Sequence, residues 1–122
     1  MKSNEVRLNN YVSYKGKNYQ INSIAEVFPT LNTDEFGIGV VSWDKLQPIN
    51  ITKKLLLKCG FKYGFMSIIN SEDLWLNWNE NEKCIFFDND CNIKVIHNKI
   101  EYLHQLQNFY FALTNTELEV KL

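Results

Sequence analysis

Between Ile100 and Leu113 the chain places Tyr102, Leu103, Leu106, Phe109, Tyr110 and Leu113 at i, i+1, i+4, i+7, i+8 and i+11. That spacing predicts an amphipathic helix with one buried stripe, and such a helix needs a broad apolar surface to lie against. The other side of the same stretch carries His104, Gln107, Asn108 and Phe111. A solvated helix face is ordinarily rich in Lys and Glu, whereas amides, an imidazole and an aromatic ring can bind a partner in fixed geometry. The face is therefore either a recognition surface or an inner packing face. Buried amides are usually paired within their own protein, so both readings stay open at this stage.

A chain of 122 residues fits one domain, 1–122, which would bury roughly two thirds of the surface its unfolded form exposes. Thirteen Lys and Arg against fourteen Asp and Glu give a net charge of −1, so no global field draws the protein to nucleic acid or an anionic membrane. Eight Phe, six Tyr and three Trp supply large buried area and leave rings available for stacking on a ligand. Three cysteines, Cys59, Cys84 and Cys91, form no CxxC pair, and the first residues, Met1 to Glu5, carry no apolar signal core. No apolar run approaches the ~20 residues that span a bilayer. A soluble cytoplasmic protein with free thiols is the expectation.

Residues 1–45 predict a small SH3-like antiparallel β part. Tyr11 to Tyr14 and Asn18 to Ile24 flank a Lys15-Gly16-Lys17 turn, and Gly37 to Trp43 supplies a further strand. Phe28 to Phe36 has Pro29, Asn32 and two acids but no period, which predicts an exposed loop. Residues 46–122 begin with an extended connector, Leu46 to Ile51, and a short helix capped by Thr52 and stopped at Gly60. Four strands follow, Phe61 to Ile69, Leu74 to Asn79, Lys83 to Asp88 and Asn92 to His97, a meander in which the doubly apolar Cys84 to Phe87 should be central. The C-terminal helix would pack on that meander, and Glu117 to Leu122 would be a tail or an edge strand. The fold class is α+β.

Cys84, Cys91, His97 and His104 are ligand types that zinc selects, but their spacing matches no structural finger, so no metal is expected. Asp88, Asp90, Glu101 and His104 could imitate the carboxylates and base of a hydrolase. A turn rich in Asp and Asn needs no such explanation, because these side chains bond their own backbone. There is no P-loop, GxSxG or HExxH, and no cofactor or catalytic set is expected. In a strand, Trp75 and Trp78 point to opposite faces. Trp78 shares its face with Leu74 and Leu76, which places it inside and leaves Trp75 as the candidate stacking residue.

The chain resembles a family of short uncharacterised proteins from phages and prophages of Bacteroidetes. Three blocks carry the resemblance: Val6-Arg7-Leu8-Asn9-Asn10-Tyr11-Val12, then Leu46-Gln47-Pro48-Ile49-Asn50-Ile51-Thr52 with the Leu-rich helix ending in Gly60-Phe61, and Tyr102 to Thr114, YLHQLQNFYFALT. The chain departs from the family at Lys53 and Lys54, where acids are usual, and at Asn115, where Gly is usual. No established activity comes with the family. The resemblance implies a phage setting and no mechanism; taken with the small size, the absence of a catalytic motif and the polar-aromatic helix face, the expectation is a phage accessory protein that binds a host component in the host cytoplasm, either sequestering a nucleotide-type signal or blocking a defence protein. Base stacking and amide readout would suit the first role, with His104, Gln107, Asn108, Phe111 and Trp75 as ligand residues and Arg7 or Lys62 toward a phosphate. The alternatives, in order, are a protein or nucleic-acid interaction module and a small nucleotide hydrolase. An exposed aromatic patch would also suit a homodimer.

Overall fold

The computed structural model describes residues 1–25, 29–33, 37–62, 65–67, 75–81, 83–88, 93–97 and 99–122; for 33, 37–38, 65–67, 75, 84–88 and 93–97 the description is of the backbone. The fold is mixed α+β. It comprises two compact units, residues 1–50 with 102–108 and residues 51–101 with 109–122.

The first unit contains an antiparallel sheet in sequence order, β1 (Tyr11–Tyr14), β2 (Lys17–Ser23), β3 (Thr30–Thr33) and β4 (Gly37–Val40). Tyr14 pairs with Lys17, so the hairpin turn is the two residues Lys15 and Gly16, both at positive φ (50° and 78°). That geometry matches the twist of the strands, and the Lys15 ammonium lies 5.4 Å over the Tyr14 ring. The expected loop from Phe28 to Phe36 instead contains β3, which pairs with β2 through Ile21 and Leu31 and with β4 through Leu31 and Gly39. One inward residue, the buried Leu31, secures this strand, and four residues beside Pro29 are too few to display an alternation. Phe28 and residues 34–36 of that expected loop lie outside the described residues.

The strand expected to reach Trp43 ends at Val40. Trp43 opens a 3₁₀ turn, Trp43–Lys45, and its indole N–H donates to the Ala25 carbonyl at 2.8 Å. Val6, Val12, Ile21, Leu31, Trp43 and Leu46 form the buried core of this unit. The connector is extended as expected, and Gln47 exchanges two backbone hydrogen bonds with Ser13 at 2.8 and 2.9 Å.

In the second unit α1 spans Lys53–Lys58. The Leu55 N–H donates to Thr52 Oγ1 at 3.1 Å, which is the N-cap the sequence predicts. At the other end Gly60 adopts φ +95°, the Phe61 N–H donates to the Leu56 carbonyl and the Gly60 N–H to Leu57. This is a Schellman stop, closed by the buried pair Leu56 and Phe61. Phe61 is thereby the helix's hydrophobic clasp and not the first residue of a strand.

The meander is β5 (Phe65–Ser67), β6 (Trp75–Asn79), β7 (Cys84–Asp88) and β8 (Ile93–His97), antiparallel and in sequence order, with β7 internal as expected. The sequence-predicted strand ends at 63–64, 68–69, 74 and 92 lie outside the described residues. The last helix, α2, runs Leu103–Thr114 and contributes residues to both units. It stops where Asn115 takes φ +55° and donates its N–H to the Phe111 carbonyl at 2.7 Å, a left-handed position that Asn tolerates second only to Gly. Among the described residues no helix is long and apolar enough to cross a membrane.

Candidate functional site

The buried stripe of α2 differs from the expected one. Leu103, Leu106, Gln107 and Tyr110 are buried at i, i+3, i+4 and i+7, while Leu113, expected inside, is 38% exposed. Gln107 is 1% exposed and occupies a core position. Within the first unit its Oε1 accepts the Tyr11 N–H at 2.9 Å and its Nε2 donates to the Asn9 carbonyl at 3.3 Å. One side chain thus satisfies the N–H of the first residue of β1 and a carbonyl just ahead of it, beside the backbone bonds that Asn9 and Asn10 make to Ile21 of β2. Asn108 Nδ2 donates to the Glu5 carbonyl at 3.5 Å in the same manner.

The partner segment is itself fixed. Asn9 adopts φ +71°, the Arg7 N–H donates to Asn10 Oδ1 at 2.7 Å, and the Asn10 N–H donates to the Arg7 carbonyl. His104 is 4% exposed and stacks on Tyr102, with ring centroids 5.9 Å apart and planes at 7°. Burial pushes its pKa below the usual histidine range against a weaker upward pull from Glu5, so the ring is neutral near pH 7. His104 Nδ1, Asn10 Nδ2 and Asn108 Oδ1 are buried with no hydrogen-bond partner among the described residues.

Of the residues singled out in the sequence, Arg7, His104, Gln107 and Asn108 therefore come together in the first unit, where Gln107 and Asn108 hold backbone. Phe111 is half-buried in the second unit. Trp75 pairs through its backbone with Ser67 and Asp88, and its side chain lies outside the described residues. So do Cys91 and Asp90, and the side chains of Cys84, Asp88 and His97. Among the described residues no three His, Cys, Asp or Glu side chains are placed to share a metal ion. Cys59 is buried, and desolvation pushes its thiol up to about 12, which leaves it protonated and unreactive at neutral pH.

An open concavity belongs to the second unit. A cleft of about 890 Å³ is lined, among the described residues, by Leu56, Leu57, Phe61 and Trp78, with Lys53, Lys62 and Glu80 at its charged positions. That volume is within the ordinary range of small-molecule sites. The chain matches no known family model, no curated protein and no solved structure. What the cleft can do therefore rests on its own geometry.

Its floor follows from the Schellman stop, which sets Phe61 against Leu56, and from β6, where Leu76, Asn77 and Trp78 are all buried and Trp78 lines the cleft. The Trp78 indole N–H donates to the Ile100 carbonyl at 2.9 Å, which fixes the ring, and the Lys83 ammonium sits 5.0 Å over it. Lys53 Nζ and Glu80 Oε2 are 3.4 Å apart, with side chains 83% and 54% exposed. Leu57 is 64% exposed. Sequence reasoning named Lys62 but missed the rest as a site. The available signal was Leu55-Leu56-Leu57, since three successive helical residues cover about 200° of the circumference and cannot all face one core. Leu55 and Leu56 are buried and Leu57 is the one left out.

Proposed function

We propose that the protein is a non-enzymatic binding protein whose ligand occupies the cleft of the second unit. The observation that carries this is the combination of an apolar floor, a fixed indole and lysines at the mouth. It suits a molecule with a flat apolar body and an anionic end, the chemistry of a nucleotide. Lys62 is the group we assign to the anion, Leu57 and Phe61 the contacts to the body, and Trp78 the fixed wall. In the phage setting that the sequence resemblance implies, such binding would withdraw a nucleotide-type signal from the host. Gln107 and Asn108, the sequence's first candidates, act in this account as structural clamps.

Calorimetric titration with a panel of nucleotides and nucleosides tests the assignment. Wild type should bind at least one of them, the recovered ligand should be chemically unchanged by mass spectrometry, and Lys62→Glu should weaken binding about tenfold or more, the equivalent of one lost charged contact. Unaltered affinity in Lys62→Glu, or a modified product, would overturn it. The exposure of Leu57 favours one second reading, a face that docks on a host protein. In that case Leu57→Asp would abolish capture of the protein while leaving nucleotide titrations flat.

A further inference from the structure

We infer that the cleft of the second unit selects a ligand with one negative charge on an apolar body and discriminates against polyanions. This rests on the binding role proposed above and specifies the class of ligand.

The charges lining the cleft, among the described residues, are Lys53, Lys62 and Glu80. Lys53 lies 3.4 Å from Glu80, so its charge is already opposed. Lys83 is held over the Trp78 ring at 5.0 Å, where an ammonium is stabilised by the ring's negative face. The described residues give Lys62 no ion pair, which leaves it as the cation that a ligand's anion can engage. Among the described residues, two lysines and one glutamate leave a single positive charge at the lining. A second and third negative charge on the same ligand would find no further unopposed cation in the described lining and would meet the Glu80 carboxylate instead.

Size does not make this selection. A cleft of about 890 Å³ has room for a nucleoside triphosphate as well as for a monophosphate diester. Discrimination must then come from charge, and Glu80 is the element that rejects. The chemistry recognised, one anion beside an apolar body, is shared by a phosphodiester nucleotide and by an aliphatic carboxylate.

The test is calorimetry near physiological salt with four probes: 3′,5′-cyclic AMP with one negative charge, adenosine with none, ATP with several, and decanoate with one charge and no base. Wild type, Glu80→Gln and Lys62→Glu are titrated in parallel, their folding checked by thermal melts; both substituted side chains are exposed. The expected result is a singly charged probe bound about tenfold more tightly than adenosine and than ATP. Glu80→Gln should close much of the gap to ATP without altering adenosine. Lys62→Glu should erase the advantage over adenosine. Preference for cyclic AMP over decanoate identifies a nucleotide, whereas preference for decanoate keeps the single-anion selection and removes the nucleotide assignment. Wild-type binding of ATP more tightly than either monoanion, or a gap that Glu80→Gln leaves intact, overturns the charge selection while the binding role stands. Failure of all four probes to bind overturns both.

Discussion

On α2 the polar side chains of the first unit are turned on the chain's own backbone, Gln107 holding Tyr11 and Asn9, while on α1 in the second unit the exposed group is a leucine beside lysines. The pattern reverses what side-chain chemistry alone suggests. Amides at helical spacing look like a reading head, yet the backbone groups at the start of β1 that the sheet leaves unpaired need donors and acceptors, and a helix face of Gln and Asn supplies them. Three leucines in a row look like core, yet three successive residues span about 200° of a helix and cannot all face one core. Unsatisfied backbone draws polar groups inward, and crowded apolar positions push one outward.

The contrast breaks most visibly at Gln107. Replacing it with alanine leaves the half-buried Tyr11 N–H without its partner, while the Asn9 carbonyl keeps Gln20 Nε2 at 3.2 Å, at a cost of about 1–3 kcal/mol. Urea unfolding should show that loss while ligand affinity of the folded fraction stays unchanged. A fall in affinity without a fall in stability would make Gln107 a recognition residue after all.

A somewhat smaller effect is expected at the ends of α1, which position the cleft. Thr52→Ala removes the N-cap and should destabilise by about 1 kcal/mol. Gly60→Ala forces a side chain onto φ +95° and should cost about 1 kcal/mol or more. Both should weaken ligand binding alongside stability, in contrast with Gln107→Ala.

Acid acts on the first unit through His104. Burial holds His104 neutral in the folded protein, whereas in the unfolded chain it takes up a proton below about pH 6.5. The unfolded state then binds more protons than the folded one, so stability is complete above that pH and is lost as the pH falls through it, by at most about 1.4 kcal/mol per pH unit. Glu5, which pulls the other way, moderates the loss. Chemical denaturation at pH 7.5, 6.0 and 5.0 should show a shallower slope for His104→Gln than for wild type. The smallest effect belongs to Lys53→Ala, because an ion pair so exposed contributes within about 0.5 kcal/mol of nothing. Its melting temperature should stay close to that of wild type.

How much of this was readable in advance depends on the range of the interactions involved. Thr52, Gly60 and the Lys15-Gly16 turn act over a few residues and were legible from residue type alone, as was the inward placement of Trp78 beside Leu76, although the buried Asn77 between them was not. Asn115 could be read too, as the residue that takes the left-handed position where a glycine is usual. The role of Gln107 was not legible, because its partners lie 96 and 98 residues away. Nothing local distinguishes an amide that will meet a bare backbone from one that will meet a ligand. β3 escaped for a related reason, since its four residues gain their identity from β2 and β4 on either side. The cleft needed the Schellman stop and β6 together, and only Leu57 advertised it.

The most direct measurement is a two-dimensional amide and indole NMR titration of the labelled protein with the tightest-binding nucleotide probe. The account predicts perturbations at the Trp78 indole N–H and at the amides of Lys53, Leu57, Lys62 and Glu80, with Asn9, Tyr11, His104, Gln107 and Asn108 unmoved. Perturbations centred on His104, Gln107 and Asn108, with the Trp78 indole silent, would contradict it.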